Sequence, residues 1–326
     1  MKIIYSQSYN AYFNIATEEY LLDNFEDDIF YLYQNSPSVI VGRKQNTISE
    51  INNDFVKQNQ IPVVRRLSGG GAVFHDIGNL NFCFIIRNSR KYEAGFEKYT
   101  KPILDVLQNL GVNAVLEGRN DLTIDGKKFS GNAKYVKEND FLQHGTILYM
   151  SKLSDIANAL TANSEKFKDK AVKSVKSRVT NVSNYMKNYI SINDFALMLI
   201  NHVEEIYHDS ESYDLSYRDT VLINELVQKK YMTWEWNFGK TPEYNFTKSQ
   251  KTKGGNLQVS MIVKNGIIEK LTFFGDFFTI NDLDQFEEFF CNCQHDHDSI
   301  KAILDAHPAT KYFENINNDD VMGVMF

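Results

Sequence analysis

Residues 65–81 read RRLSGGGAVFHDIGNLN, with three consecutive glycines between two strand-like runs and directly after a pair of arginines. The glycines read as a turn signal between the two runs. Glycine reaches positive φ and lets backbone N–H groups come close to a ligand, and arginine offers a fixed fork of donors for carboxylate or phosphate. The combination fits anion recognition. A bulged hairpin with a solvated arginine pair uses the same residues, and spacing alone leaves both readings open. Two common nucleotide loops are excluded. Gly69-x-Gly71 is followed by Phe74 where a dinucleotide fingerprint needs glycine, and Gly239-Lys240-Thr241 has Trp234 where a phosphate loop needs its first glycine.

Periodicity organises the rest. Segment 14–25, NIATEEYLLDNF, spaces Ile15, Glu19, Leu22 and Phe25 along one helical face, with Asn14 as its cap. Strand-like runs follow at 29–33, 38–42, 62–66, 72–75 and 81–86, separated by turn signals, and predict an antiparallel, sheet-rich segment. A helix is expected over 94–110, and three strands over 121–149, broken at Asp125-Gly126 and at 137–139. Helical patterns return at 151–162, 191–207 and 214–230. The tail carries strands at 256–263 and 267–274 about Asn265-Gly266, then helices near 281–291 and 298–305.

A chain of 326 residues suits two domains. Charge places the boundary: from Thr247 onward 7 lysines, no arginine and 12 acidic residues give −5, leaving −2 of the total −7 for the first 246 residues. The division expected is 1–246 and 247–326. A net negative chain has no global attraction to a polyanion, which argues against nucleic acid as the main partner. The longest apolar runs, such as 82–86 and 195–200, are far too short to cross a bilayer, and the first residues lack the apolar core of a secretory signal. Three cysteines are too few to staple a chain of this size. A cytoplasmic protein with no membrane partner is the expectation.

Further clusters bear on chemistry. In EGRNDLTIDGKKFSGNA, residues 117–133, an Asp125-Gly126 hairpin places Thr123 opposite Lys128, with Asp121 on the same face and diagonal to Lys128 at roughly 7 Å. Aspartate there can hold Mg²⁺ against phosphates and lysine can neutralise developing anionic charge; a surface ion pair is the plain alternative. KAVKSVKSRVTN, residues 170–181, groups Lys173, Lys176 and Arg178 in either a solvated loop or a basic lid over a phosphorylated ligand. CNCQHDHD, residues 291–298, offers Cys291, Cys293, His295 and His297, but their alternate spacing favours a polar loop over a zinc site. Cys83 in NFCFII reads as core, and His75 and His144 read as buried, satisfied histidines.

Taken in order, RRLSGGGAVFHDIGNLN, GRNDL, KKFSGNA, QHGTILY and KSVKSRVTN resemble the lipoate-protein ligase family, and the likeness runs from NIATEEYLL and VGRKQN through WEWNFGKTP. The resemblance implies an α/β (α+β) fold shared with biotin-protein ligases, a mixed sheet flanked by helices, with a small C-terminal α+β accessory domain. It implies that lipoate and ATP give lipoyl-adenylate and pyrophosphate, after which the lipoyl group passes to a lysine of a lipoyl domain. That acceptor would belong to a 2-oxoacid dehydrogenase acyltransferase subunit or be the glycine cleavage H protein. By the same carry-over Lys128 is the principal catalytic residue, and Arg66, Ser68, Gly69, Gly70 and Gly71 surround the acyl carboxylate and phosphate. Asp121 binds Mg²⁺, Asn79 helps recognise adenine, Ala72, the last residue of the lipoate-binding loop from Arg65, also binds ATP or the adenylate, and His75 and His144 line the site. Lys173, Lys176 and Arg178 then belong to the adenylate-binding loop. Two other readings stand behind this one. Acyltransferases of the same fold use a cysteine without ATP, for which this chain offers only Cys83, and a non-catalytic lipoate or adenylate binder would keep the pocket without turnover.

Overall fold

The computed structural model describes residues 1–326 except 46, 89–94, 161–177, 239–245, 265 and 296. Alternation along two short runs sets its centre. In the strand Ile29–Gln34, Phe30 and Leu32 face one side and Tyr31 and Tyr33 the other, and all are essentially inaccessible to solvent. A strand that buries both faces needs a layer of structure on each. On the first face the helices Glu97–Asn109 and Ile192–Ile206 bring Tyr99, Ile103, Leu107, Phe195 and Leu199 against Phe82 and Phe84. On the second, the helices Ala11–Asn24 and Tyr217–Leu226 bring Ile15, Leu21 and Ile223 against Tyr31, Cys83 and Ile85. Burying each such aromatic or aliphatic side chain stabilises by about 1.5–3 kcal/mol.

The strands of the first 212 residues are β1 (Lys2–Tyr5), β2 (Ile29–Gln34), β3 (Ser38–Val41), β4 (Val63–Arg65), β5 (Val73–His75), β6 (Asn79–Ile86), β7 (Ala114–Glu117), β8 (Asp121–Ile124), β9 (Lys127–Lys137), β10 (Asp140–Leu148) and β11 (Glu211–Ser212). Eight of them form one sheet in the order β11-β1-β2-β6-β10-β9-β8-β7. The other three form a small sheet, β4-β3-β5. β1 runs parallel to β2 and to β11, and β3 runs parallel to β4. The sequence-based expectation of an antiparallel segment is therefore corrected to a mixed sheet. β4 and β5 both flank β3 and never pair with each other, so the bulged-hairpin reading of the triple glycine fails. The glycines instead carry the chain across the end of β3.

Two local expectations change for physical reasons. Asn10, not Asn14, caps the first helix, its side chain accepting from the backbone of Tyr12 and Phe13. Asn14 is buried one turn later and ties Ser8, Gln34 and Asn35 together through its amide nitrogen. The Asp125-Gly126 turn forms as read, with φ of 51° and 70°.

The last 81 residues, 246–326, add an antiparallel sheet of β12 (Phe246–Thr252), β13 (Gly255–Lys264) and β14 (Ile267–Gly275), closed by helices Leu283–Glu288, His297–Ala306 and Asn318–Met325. Phe273, Phe277, Phe286, Phe290 and Phe313 form their own core. This unit rests on the loop of glycines. The amide of Gly70 donates to the carbonyl of Phe277 at 3.2 Å, and the amide of Gly275 donates to that of Lys44 at 3.0 Å. Lys44, 5% exposed, pairs with Asp284 at 2.7 Å and Glu287 at 3.0 Å.

Candidate active site

A cavity of about 300 Å³ opens between the large sheet, the small sheet and the C-terminal unit. Arg66, Gly70, Gly71, Ala72 and His75 line it from the glycine segment, Asp121 and Lys128 from the β8–β9 hairpin, and His144, Gly145 and Thr146 from β10. Eight of the residues singled out in the sequence thus meet on one surface: Arg66, Gly70, Gly71, Ala72, His75, Asp121, Lys128 and His144. Gly69 and Ser68 stand directly behind it. Asn79 begins β6 and is buried, its amide donating at 2.8 Å to Oδ1 of Asn81, which is on the wall. Lys173 and Lys176 lie outside the described residues. Arg178 is exposed, and Val179 beside it bridges to the backbone of Lys128, with Thr180 N donating to Lys128 O at 2.9 Å.

The hairpin register is the one read from the sequence, Thr123 opposite Lys128. A bulge between Leu122 and Thr123 shifts Asp121 opposite Gly131, and the two side chains span the diagonal to form an ion pair of 2.8 Å between Lys128 Nζ and Asp121 Oδ1. Gly131 gives this pair its room, because a Cβ there would stand 2.9 Å from Lys128 Nζ. His144 lies further along the same wall. It pairs with Ala133 on β9, two residues beyond the Gly131 over which the Lys128 ammonium sits. The charged pair and a buried polar cluster therefore share one cavity.

That cluster holds the glycine loop. Arg66 donates from Nε to Ser68 Oγ at 3.0 Å, from Nη1 to Ile40 O at 3.2 Å, and from Nη2 to Gly69 O at 2.6 Å and Gly71 O at 2.9 Å. Most of its fork is spent on the loop's own carbonyls. Burial pulls its pKa down to about 10, against the opposing charge of Glu18. Arg65 is spent likewise, its donors going to the carbonyls of Gly42, Arg43, Gln45, Trp236 and Asn237. His75 is 3% exposed, and burial, with the cation of Arg66 nearby, pushes it down to about 3, so its ring is neutral at physiological pH. Its Nδ1 accepts from Asn35 Nδ2 at 3.0 Å.

Sequence reasoning missed Glu18, Arg119, Asn132 and the tail's Asp276 and Phe278. Glu18 is buried in the helix Ala11–Asn24, where a charge among buried neighbours runs against the apolar pattern. Arg119 lies within the GRNDL stretch but stacks on Phe278 at 4.4 Å, a partner more than 150 residues away that no local pattern shows. Cys83 is fully buried beside Glu18, and burial first, then that carboxylate, pushes its thiol well above the ordinary range. A thiol so placed is a poor nucleophile. Among the described residues no three His, Cys, Asp or Glu gather as metal ligands, and His295 is engaged with Met325 O at 2.6 Å and stacked on Phe326. No helix among the described residues is long and apolar enough to cross a membrane.

Comparison with known proteins agrees with this architecture. Residues 10–204 match the family described as lipoyl protein ligase A/B catalytic domain, and residues 241–325 match bacterial lipoate protein ligase C-terminus. Lipoate-protein ligase 1 of Staphylococcus aureus is 40% identical over 96% of this chain and 95% of its own length. The Bacillus subtilis lipoate-protein ligase LplJ is 36% identical over 96% of both. Among solved structures, P. falciparum LipL1 in complex with lipoate superposes with a TM-score of 0.81, at 27% identity and 94% coverage of each chain. A lipoate-protein ligase A bound with ATP gives 0.62, at 26% identity, over 73% of this chain and 98% of that one. The chain belongs to the lipoate-protein ligase family of enzymes.

Proposed function

We propose that the protein activates lipoate with ATP and transfers the lipoyl group to a lysine of a lipoyl-carrier domain. The observation that carries this reading is the Lys128–Asp121 pair sharing one cavity with the triple-glycine loop. Ile15, Ile40 and Val73 on the same lining suit the apolar tail of a medium-chain acid, and the charged groups suit its anionic head. In the first step the lipoate carboxylate oxygen attacks the α-phosphorus of ATP, a P–O bond forms and pyrophosphate leaves. In the second, the neutral ε-amine of the acceptor lysine attacks the acyl carbon, the bond to AMP breaks, and the amine proton is lost to solvent.

Lys128 stabilises negative charge on the carboxylate and phosphate oxygens in both steps, and the donors lose little in reorganising because they are already in place. Gly69, Gly70 and Gly71, shaped by Arg66 and Ser68, cradle the anion, with Ala72 and Asn79 on the nucleotide side and His75 and His144 on the acyl side. Lys173, Lys176 and Arg178 belong to the adenylate-binding loop in this reading. A partly exposed carboxylate on a cavity wall fits Mg²⁺, which is commonly held by one or two carboxylates together with substrate phosphates. Asp121 would hold the ion, whose bound charge offsets that of the triphosphate.

Residues 1–246 form the catalytic unit and 247–326 the accessory unit in this reading, and the protein works in the cytoplasm. The acceptor is an apo-lipoyl domain of a 2-oxoacid dehydrogenase acyltransferase subunit or the glycine cleavage H protein. Support comes from an archaeal lipoylation system, described as a bi-partite lipoate protein ligase and its E2 lipoyl domain from Thermoplasma acidophilum, at 30% identity over 75% of this chain. The burial of Cys83 speaks against a cysteine-borne, ATP-independent transfer. The test is a two-stage assay: lipoate, Mg²⁺ and ATP with pyrophosphate followed, then an apo-lipoyl domain with its mass followed. Lipoate-dependent pyrophosphate and a lipoyl mass gain are expected; neither appearing would overturn the reading.

A further inference from the structure

Behind the cavity wall a single file of hydrogen bonds joins Glu18 to the glycine loop. Glu18, 1% exposed, accepts from the Tyr33 hydroxyl at 3.0 Å and from His144 Nδ1 at 2.8 Å. Because Nδ1 donates to a carboxylate, a neutral His144 has Nε2 free as an acceptor, and the Ser68 hydroxyl donates to it at 2.6 Å. Ser68 Oγ in turn accepts Arg66 Nε–H at 3.0 Å, and Arg66 Nη2 clamps the carbonyls of Gly69 and Gly71. Each donor meets an acceptor, with an anion at one end of the file and a cation at the other.

The file is dry as well as complete. Ser68 is 0% exposed, Arg66 6% and His144 7%. Glu18 and Ser68 are not on the cavity wall, whereas Arg66, Gly70, Gly71 and His144 are. Any effect of Glu18 on a bound molecule must therefore pass through its neighbours. Resting on the ligase reading above, we propose that Glu18 is a positioning residue for acyl activation, orienting His144 and Ser68 so that Arg66 fixes the triple-glycine loop at the cavity wall. In a low-dielectric interior such a network is worth more than its separate bonds, and losing one member loosens the next. The opposing charge of Glu18 also steadies Arg66, whose own cation is penalised by burial.

The experiment is a double-mutant cycle on lipoate-dependent pyrophosphate release by the full chain, with urea unfolding of each variant alongside. Glu18→Gln keeps the size and an acceptor oxygen but removes the charge, whereas Ser68→Ala cuts the file in its middle. Each single variant is expected to lower kcat roughly 10- to 100-fold, the range in which small misplacements act, while KM for lipoate moves less than about threefold and the chain stays folded at the assay temperature. The double variant should lose clearly less than the product of the two single losses, because the path through His144 and Ser68 is shared. Glu18→Gln with an unchanged kcat, or a double variant whose loss is the product of the two single losses, would overturn the proposal. A Glu18→Gln chain that loses stability while kept folded at full kcat overturns it too, since its role is then structural. A wild-type protein that releases no lipoate-dependent pyrophosphate overturns the ligase reading and this inference together.

Discussion

Lys128 Nζ and Asp121 Oδ1 stand 2.8 Å apart on the cavity wall, both partly open to solvent at 40% and 37% exposure. An ion pair so exposed contributes only about 0–1 kcal/mol to stability, so its placement matters for binding charge, not for holding the fold. Lys128→Ala is expected to cut lipoate-dependent pyrophosphate release by about 100-fold or more, the scale set by losing one preorganised donor to a developing anion. Urea unfolding should shift by less than about 1 kcal/mol. A variant that keeps its rate, or one that loses its rate only by unfolding, would show that the lysine is not catalytic.

Gly145 faces the cavity from β10, with Phe82 opposite it on β6 and Asn132 opposite it on β9. A Cβ added there would lie 2.5 Å from both the Phe82 ring and Asn132 Oδ1, closer than real contacts come. Gly145→Ala is expected to cost about 1–3 kcal/mol through overpacking and to raise KM for lipoate as the ring is pushed toward the pocket. Equilibrium unfolding and a lipoate titration test the two halves separately.

What could be read beforehand follows from how local each feature is. Strand runs at 29–33 and 81–86, the Asp125-Gly126 turn and the Thr123–Lys128 register rest on neighbours in sequence, and all appear in the structure. The glycine loop and its arginines were visible as an unusual composition, but not as a crossover, because the pairing of β4 and β5 with β3 depends on strands elsewhere. β7, Ala114–Glu117, escaped notice as an edge strand with an alternately exposed pattern and few turn signals. Glu18 escaped for the opposite reason, since a buried carboxylate contradicts the apolar rhythm of its helix and makes sense only once Tyr33 and His144 are beside it. The contribution of Phe278 and Asp276 to the cavity arises from packing of the tail on the loop, which no local pattern encodes.

His75 gives the protein a distinct acid response. Its folded pKa is pushed down to about 3 by burial first and by the Arg66 cation next, while the unfolded chain carries an ordinary histidine near 6.5. Between those values the unfolded chain takes up a proton that the folded chain refuses, so stability falls as pH drops from about 6.5 toward about 3. At neutral pH the effect is absent. His75→Gln keeps a polar side chain and removes the titration. Unfolding by urea at pH 7, 5.5 and 4.5 should show the wild type losing more stability than this variant, and parallel losses would show that His75 titrates normally.

Lys44 decides how firmly the C-terminal unit is held. Its ammonium is buried between Asp284 and Glu287, and Glu287 also accepts from the Phe273 amide at 2.9 Å. Burial raises the pKa of Glu287, and Lys44 is the cation that opposes the shift. Replacing the lysine with an apolar side chain strands a buried carboxylate, a loss of about 3–5 kcal/mol in comparable pairs. Lys44→Met is therefore expected to lower the melting temperature clearly, whereas removing both charges with Lys44→Met and Glu287→Gln should recover part of the loss, because the penalty comes from the unpaired charge and not from the missing bond. Differential scanning calorimetry of the three chains measures this directly. A double variant less stable than Lys44→Met alone would mean that Glu287 holds the strand through Phe273 independently of the lysine.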